Sequence, residues 1–112
     1  MQIKKVVIIG SGTMGSGIAA QLCNANIPVT LLDLKTEISE KAREKIYKSR
    51  PPLLLDKSKI NNINIGNIQD DFKIIREADW VVEAVVERID IKHNIYEKIF
   101  KFRKHGAIVS SN

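Results

Sequence analysis

"VVIIGSGTMGSGIAAQL", residues 6–22, decides how this chain folds. Val6 to Ile9 is a β-branched run with no polar residue, the pattern of a strand buried on both faces. Gly10-Ser11-Gly12-Thr13-Met14-Gly15 follows, a complete GxGxxG, and then a small-residue and apolar segment with helical character. A strand, a glycine turn and a helix in that order make a phosphate cradle. Gly10 makes the tight turn, Gly12 lets the backbone approach a pyrophosphate, and Gly15 lets the helix pack close to the strand. The helix N-terminus then offers free amides and a positive dipole end to the phosphates. The glycine spacing alone also occurs in ordinary tight turns, so its context carries the argument.

Working outward, strands and helices alternate. The first helix carries Ile18, Leu22 and Ala25 at helical spacing and stops at Pro28, and "PVTLLD" (28–33) is a second strand. Thr36 is a candidate cap for a helix with Ile38, Ala42 and Ile46 inward, and Glu37 and Glu40 suit its positive end. "SRPPLLLDKSKIN" (49–61) reads as loop and short turn, and "INNINIGN" (60–67) as a weak third strand. Asp70 or Asp71 is positioned to cap a short helix ending at Glu77, and "WVVEAVV" (80–86) is a fourth strand. The longest helix is expected over residues 90–104, with Asp90 as N-cap and Ile91, Ile95, Ile99 and Phe102 inward. Gly106 ends it, and Ala107 to Ser111 reads as a fifth, buried strand. This β-α alternation requires parallel strands with right-handed crossovers. The expected fold is α/β, a Rossmann-type doubly wound parallel sheet of about five strands in the order 3-2-1-4-5, cut before a sixth.

The chain of 112 residues makes one domain, 1–112. Its composition, 44% hydrophobic and 28% charged, is that of an ordinary globular protein. No apolar stretch approaches the ~18 residues a membrane span needs, and the Val6–Ile9 run is too short for a secretory signal. Cys23 is the single cysteine, which rules out an internal disulfide and makes a cytoplasmic setting the expectation. The net charge of +5 comes from scattered lysines accompanied by 13 acidic residues, so a nucleic-acid partner is not expected.

Asp33 closes the second strand close to the ~20-residue distance at which a carboxylate meets the adenosine ribose hydroxyls. A carboxylate there repels a 2′-phosphate and favours NAD over NADP, although Lys35 is close by. In "EAVVERIDIK" (83–92), Glu87 follows the fourth strand and Lys92 lies in the first turn of the next helix, where a lysine opposes the dipole. With the fourth strand's end lying across the crevice from the glycine loop, both are expected to point at the cofactor. Read locally, Lys92 is a solvated lysine. Glu83 lies inside an apolar run, and a buried carboxylate there needs partners. Cys23 and Trp80 read as packing residues, and His93 and His105 as solvated ones without metal-ligand spacing or an orienting carboxylate.

"VVIIGSGTMGSGIAAQL", "LLD", "GNIQDDFKIIREADWVVEAVVERIDIKHNIYEKI" and "IVSSN" together resemble the N-terminal NAD-binding domain of 3-hydroxyacyl-CoA dehydrogenases. The resemblance weakens only between Ser49 and Ile65. It implies NAD as cofactor and oxidation of a 3-hydroxyacyl-CoA to its 3-ketoacyl-CoA, a step of fatty-acid β-oxidation. It places NAD contacts at Gly10, Ser11, Gly12, Thr13, Met14, Gly15, Asp33, Glu87 and Lys92, and a coenzyme A contact at Ser49. The adjacent Lys48 and Arg50 read either as charges that meet the CoA phosphates or, equally, as solvated charges at a helix end. The family's catalytic histidine and glutamate follow a Ser-Asn-Thr-Ser motif of which Ser111-Asn112 are the first two residues, so no catalytic residue is expected here. The helical domain that closes the cleft is expected to be missing from this chain.

Three readings follow. The chain is a truncated or split dehydrogenase subunit, inactive alone and active with an acyl-CoA substrate when a second chain completes it. Alternatively it is a non-catalytic dinucleotide-binding or partner-binding module, or a gene remnant without function. Ile108 and Val109 on an uncovered last strand are expected to promote self-association.

Overall fold

A computed structural model describes residues 3–85 and 89–111. Strand β1 (Val6–Ile9) leads into α1 (Thr13–Asn24), β2 (Val29–Asp33) into α2 (Thr36–Lys48). A 3-10 turn over Lys57–Asn62 precedes β3 (Ile63–Asn67). The short α3 (Ile68–Asp71) and a second 3-10 turn (Phe72–Glu77) lead to β4 (Trp80–Glu83), followed by α4 (Ile89–Phe102) and β5 (Ile108–Ser111). All pairings are parallel and the order is β3-β2-β1-β4-β5, the doubly wound arrangement expected from the sequence.

The sheet divides the apolar residues into two cores, which is why β1 has no polar position. Val6 and Ile8 face α1 and α2, with Ala19, Cys23, Leu31, Ala42 and Ile46. Val7 and Ile9 face the other side, with Leu32, Phe72, Ile75, Ile95 and Ile99. Each of the four β1 residues is at most 2% exposed.

The structure corrects several local expectations. On α1 the face against the sheet is Gly15, Ala19, Ala20 and Cys23; Ile18 and Leu22 flank it half-buried, and Ala25 is exposed at the helix end. Small residues win that face because α1 lies close to the strands. On α2, Ile38 is exposed and its neighbour Ser39 is buried, its hydroxyl donating to the Gly66 carbonyl at 2.8 Å. Thr36 is the first helical residue, not the cap, and its hydroxyl accepts from the Asn67 side chain at 3.0 Å. The cap of α3 is Asn67, which accepts from the Asp70 amide, while the Asp71 carboxylate accepts from the Asn67 amide. Helix α4 begins at Ile89, so Asp90 is inside it rather than its cap, and it ends at Phe102. Of the fifth strand only the leading Ala107 is buried; Ile108 is 44% exposed, as suits an edge strand.

Candidate nucleotide site at the carboxyl ends of the strands

Strands β1 and β4 are neighbours, yet their crossovers leave in opposite directions, so a crevice opens above their carboxyl ends. The glycine loop lies on it. Gly10 has φ +106, open to glycine, and a β-carbon there would come within 2.5 Å of the Ala84 carbonyl oxygen at the β4 exit. A β-carbon on Gly15 would meet the Gly10 carbonyl oxygen at 2.0 Å, so α1 can start this close to β1 only with glycine. At Gly12 nothing lies within 4 Å of that position, which leaves the backbone bare toward solvent. Gly12 is also the N-cap of α1, with extended backbone and no side-chain capping bond. The first-turn amides of α1 have no intrahelical acceptors and suit an anion.

Asp33 braces this loop from the end of β2. One carboxylate oxygen accepts from the Ser11 amide at 2.8 Å and from the Ser11 hydroxyl; the other accepts from the Leu34 amide at 2.7 Å. The loop and the half-buried carboxylate are thus one unit, with Ser11 buried, Gly12, Thr13 and Met14 exposed, and Gly10 and Gly15 buried. Bare amides beside a carboxylate at ribose distance fit a dinucleotide, and the residues present fit NAD.

Seven of the nine residues assigned to the cofactor are described along their side chains, and they form one surface at the ends of β1 and β2. Glu87 lies outside the described residues, and so does the side chain of Lys92. Ser49 caps the C-terminal end of α2, its hydroxyl donating to the Pro51 carbonyl at 3.0 Å. A cavity of about 550 Å³ runs from Ser11, Gly12 and Thr13 past Lys41 and Lys45 to Ser49. A second, of about 300 Å³, shares Ile46, Ser49 and Leu53 with it and continues along Lys48, Arg50 and Lys57. No acidic residue lines either cavity among the described residues. Sequence reading named Lys48 and Arg50 but not Lys41 and Lys45, whose i, i+4 spacing on a basic helix looks like solvated surface until α1 is placed beside it.

Glu83, without a named partner in the sequence, is fully buried. One oxygen accepts from the Val85 amide at 2.6 Å, the other from the Tyr96 hydroxyl at 3.1 Å and the Ser111 hydroxyl at 2.9 Å. Trp80 is half-buried and its indole donates to Ser110. His93 and His105 are exposed. Cys23 is wholly buried, and burial pushes its thiol up to about 11, outweighing the nearby Arg43 charge. Among the described residues no group of His, Cys, Asp and Glu could hold a metal ion, and no helix is long and apolar enough to cross a membrane.

The parallel sheet, glycine loop and bracing acid define a dinucleotide-binding α/β domain. Comparison with known proteins names the kind. The family profile "3-hydroxyacyl-CoA dehydrogenase, NAD binding domain" matches residues 5–112. The probable 3-hydroxyacyl-CoA dehydrogenase of Deinococcus radiodurans is 43% identical over 119 residues, covering 100% of this chain and 34% of that protein. A peroxisomal fatty acid beta-oxidation multifunctional protein of Arabidopsis thaliana is 38% identical, covering 98% of this chain and 16% of that protein. Among solved structures, (S)-3-hydroxybutyryl-CoA dehydrogenase PaaH1 of Ralstonia eutropha superposes with a TM-score of 0.80 at 25% identity, over 99% of this chain and 41% of that one. The chain belongs to the family of NAD-binding domains of 3-hydroxyacyl-CoA dehydrogenases, and its nucleotide is NAD. It spans about a third or less of the length of these curated relatives.

Proposed function

We propose that these residues form the cofactor-holding part of an enzyme that oxidises a 3-hydroxyacyl-CoA to the 3-ketoacyl-CoA. The observation that carries this reading is the continuity of the glycine loop with the cationic cavity through Ser49. Bound NAD supplies the hydride acceptor. The amides of Gly12, Thr13 and Met14 and the dipole of α1 hold its pyrophosphate, and Gly10 and Gly15 fix the loop at that height. Asp33 accepts from the ribose hydroxyls, and Ser11 keeps that carboxylate in place. Glu87 and Lys92 are assigned to NAD by their positions in the family motif. Ser49 contacts coenzyme A, and Lys48 and Arg50 draw its phosphates into the groove.

Removing the alcohol proton needs a base. His93 and His105 are exposed, on α4 and just after it, and neither occupies the family's catalytic position. The base comes from polypeptide beyond these 112 residues, continuous with them or on a second chain, and in this reading the chain is inactive alone. The single buried cysteine suits a reducing cytoplasmic setting. The exposed edge of β5 is a site of self-association.

The test is NADH-linked oxidation of 3-hydroxybutyryl-CoA. The chain alone is expected to show none. Addition of the remaining two thirds of the Deinococcus relative, prepared as a separate chain, is expected to restore turnover. NAD binding without restored turnover would reduce the role to a non-catalytic nucleotide-binding module.

A further inference from the structure

Glu83 takes no part in the function proposed above, yet its placement is costly. A carboxylate wholly removed from water is disfavoured unless hydrogen bonds replace the water it loses, and an apolar side chain would pack there without that requirement. The carboxylate stands at the last residue of β4, directly below the crevice. Its two oxygens have different duties: one holds the Val85 amide just past β4, the other holds the hydroxyls of Tyr96 on α4 and Ser111 on β5. In the parallel register Glu83 is directly opposite Ser111. One side chain thus ties together the three elements that bound the β4–β5 side of the crevice.

The β1–β2 side has braces of its own. The Gly10 amide donates to the Leu32 carbonyl at 2.7 Å and Asp33 holds Ser11, while the Ala84 amide, donating to the Ile9 carbonyl at 2.8 Å, joins β4 to β1 between the two sides. A dinucleotide lies across the switch point with one mononucleotide half on each side. Asp33 assigns the adenosine half to the β1–β2 side, which leaves the nicotinamide half to the β4–β5 side.

We infer that Glu83 is a positioning residue for the nicotinamide half of the cofactor, acting through the Val85 amide and Ser111 rather than by touching the ligand. This rests on the NAD site described above. It predicts a split that a purely structural role does not produce: disturbing the Glu83 node weakens binding of the whole dinucleotide but not of its adenosine half.

The experiment is calorimetric titration of the full chain with NAD+ and, separately, with ADP. The variant is Tyr96→Phe/Ser111→Ala, which removes both hydroxyl donors and leaves the carboxylate and the apolar core in place; Glu83→Ala is measured beside it, with a thermal melt for each. Expected for the double variant is an NAD+ Kd raised at least about tenfold with an ADP Kd within about twofold of wild type. Equal weakening of both ligands, or no change in either, overturns the inference. If Glu83→Ala fails to fold, the double variant decides alone. Wild-type chain that binds ADP but not NAD+ also overturns it, and wild type binding neither ligand would remove the NAD site itself.

Discussion

Gly12 and Gly15 are three residues apart in one loop, yet the structure assigns them opposite sensitivities, and alanine at each separates folding from binding. At Gly15 the added methyl meets backbone at 2.0 Å, the Gly10 carbonyl oxygen, with the Ile8 side chain at 3.3 Å on its other side. Neither neighbour is the free end of a flexible chain, so α1 must lift from β1. Overpacking of this kind costs about 1–3 kcal/mol, and a backbone clash belongs at the top of that range. For a domain of this size about 3 kcal/mol lowers Tm by roughly 12 °C. At Gly12 the methyl enters open space, and φ of −71 suits alanine. The gain of about 0.4–1 kcal/mol from a stiffer unfolded chain offsets the weaker capping by alanine, so Tm should stay within about 2 °C. In the proposed site that same open space is where the phosphates approach. Losing one charge-assisted bond of about 1.5–3 kcal/mol raises the NAD+ Kd roughly 10- to 150-fold. Thermal melts and calorimetric titrations of Gly12→Ala and Gly15→Ala measure both quantities. A Gly12→Ala protein that binds NAD+ as wild type does, or that melts more than about 5 °C lower, would refute the reasoning.

At the amino ends of the strands, Asp79 accepts from the Lys104 ammonium and from the Lys4 and Lys5 amides, and these hold its carboxyl down at about 2. A group lowered in the folded state stabilises above its unfolded value, about 3.9, and loses that contribution as pH falls through the folded one. The Tm difference between wild type and Asp79→Asn should therefore be full above about pH 5 and fall progressively to nothing near pH 1, and a difference independent of pH would contradict this assignment. Beside Asp79, at the amino end of the edge strand β5, Ile108→Lys should shift the sedimentation profile toward monomer without lowering Tm, since Ile108 is already 44% exposed. An unchanged profile would remove β5 as the association surface.

The sheet was legible because both of its faces are buried, which turns β1 into an unbroken apolar run whose meaning does not depend on neighbours. The glycine loop was legible for a similar reason: Gly10 and Gly15 are demanded by contacts with the loop's own backbone and the β4 exit. Helix faces were read less well. Ile38, expected inward, is exposed, and the position beside it is buried because Ser39 finds the Gly66 carbonyl, a partner on a strand more than twenty residues away. Caps were read less well too: Asn67, three residues before Asp70, accepts from the Asp70 amide, while Asp71 stands at the N-cap position of the turn ending at Glu77 without a side-chain capping bond. Within the site, Asp33 could be found by spacing, but its bond to Ser11 could not. Glu83 was visible only as an anomaly. Its partners Tyr96 and Ser111 follow from the pairing of β4 with β5 and the packing of α4, none of which leaves a local signal.

Calorimetric titration of the wild-type chain with NAD+ and with NADP+ measures both the NAD site and the proposed contact of Asp33 with the ribose. Saturable one-to-one binding of NAD+ is expected, and binding of NADP+ at least about tenfold weaker, because a 2′-phosphate would face the Asp33 carboxylate. No saturable heat with NAD+, or equal affinity for both nucleotides, would contradict this expectation.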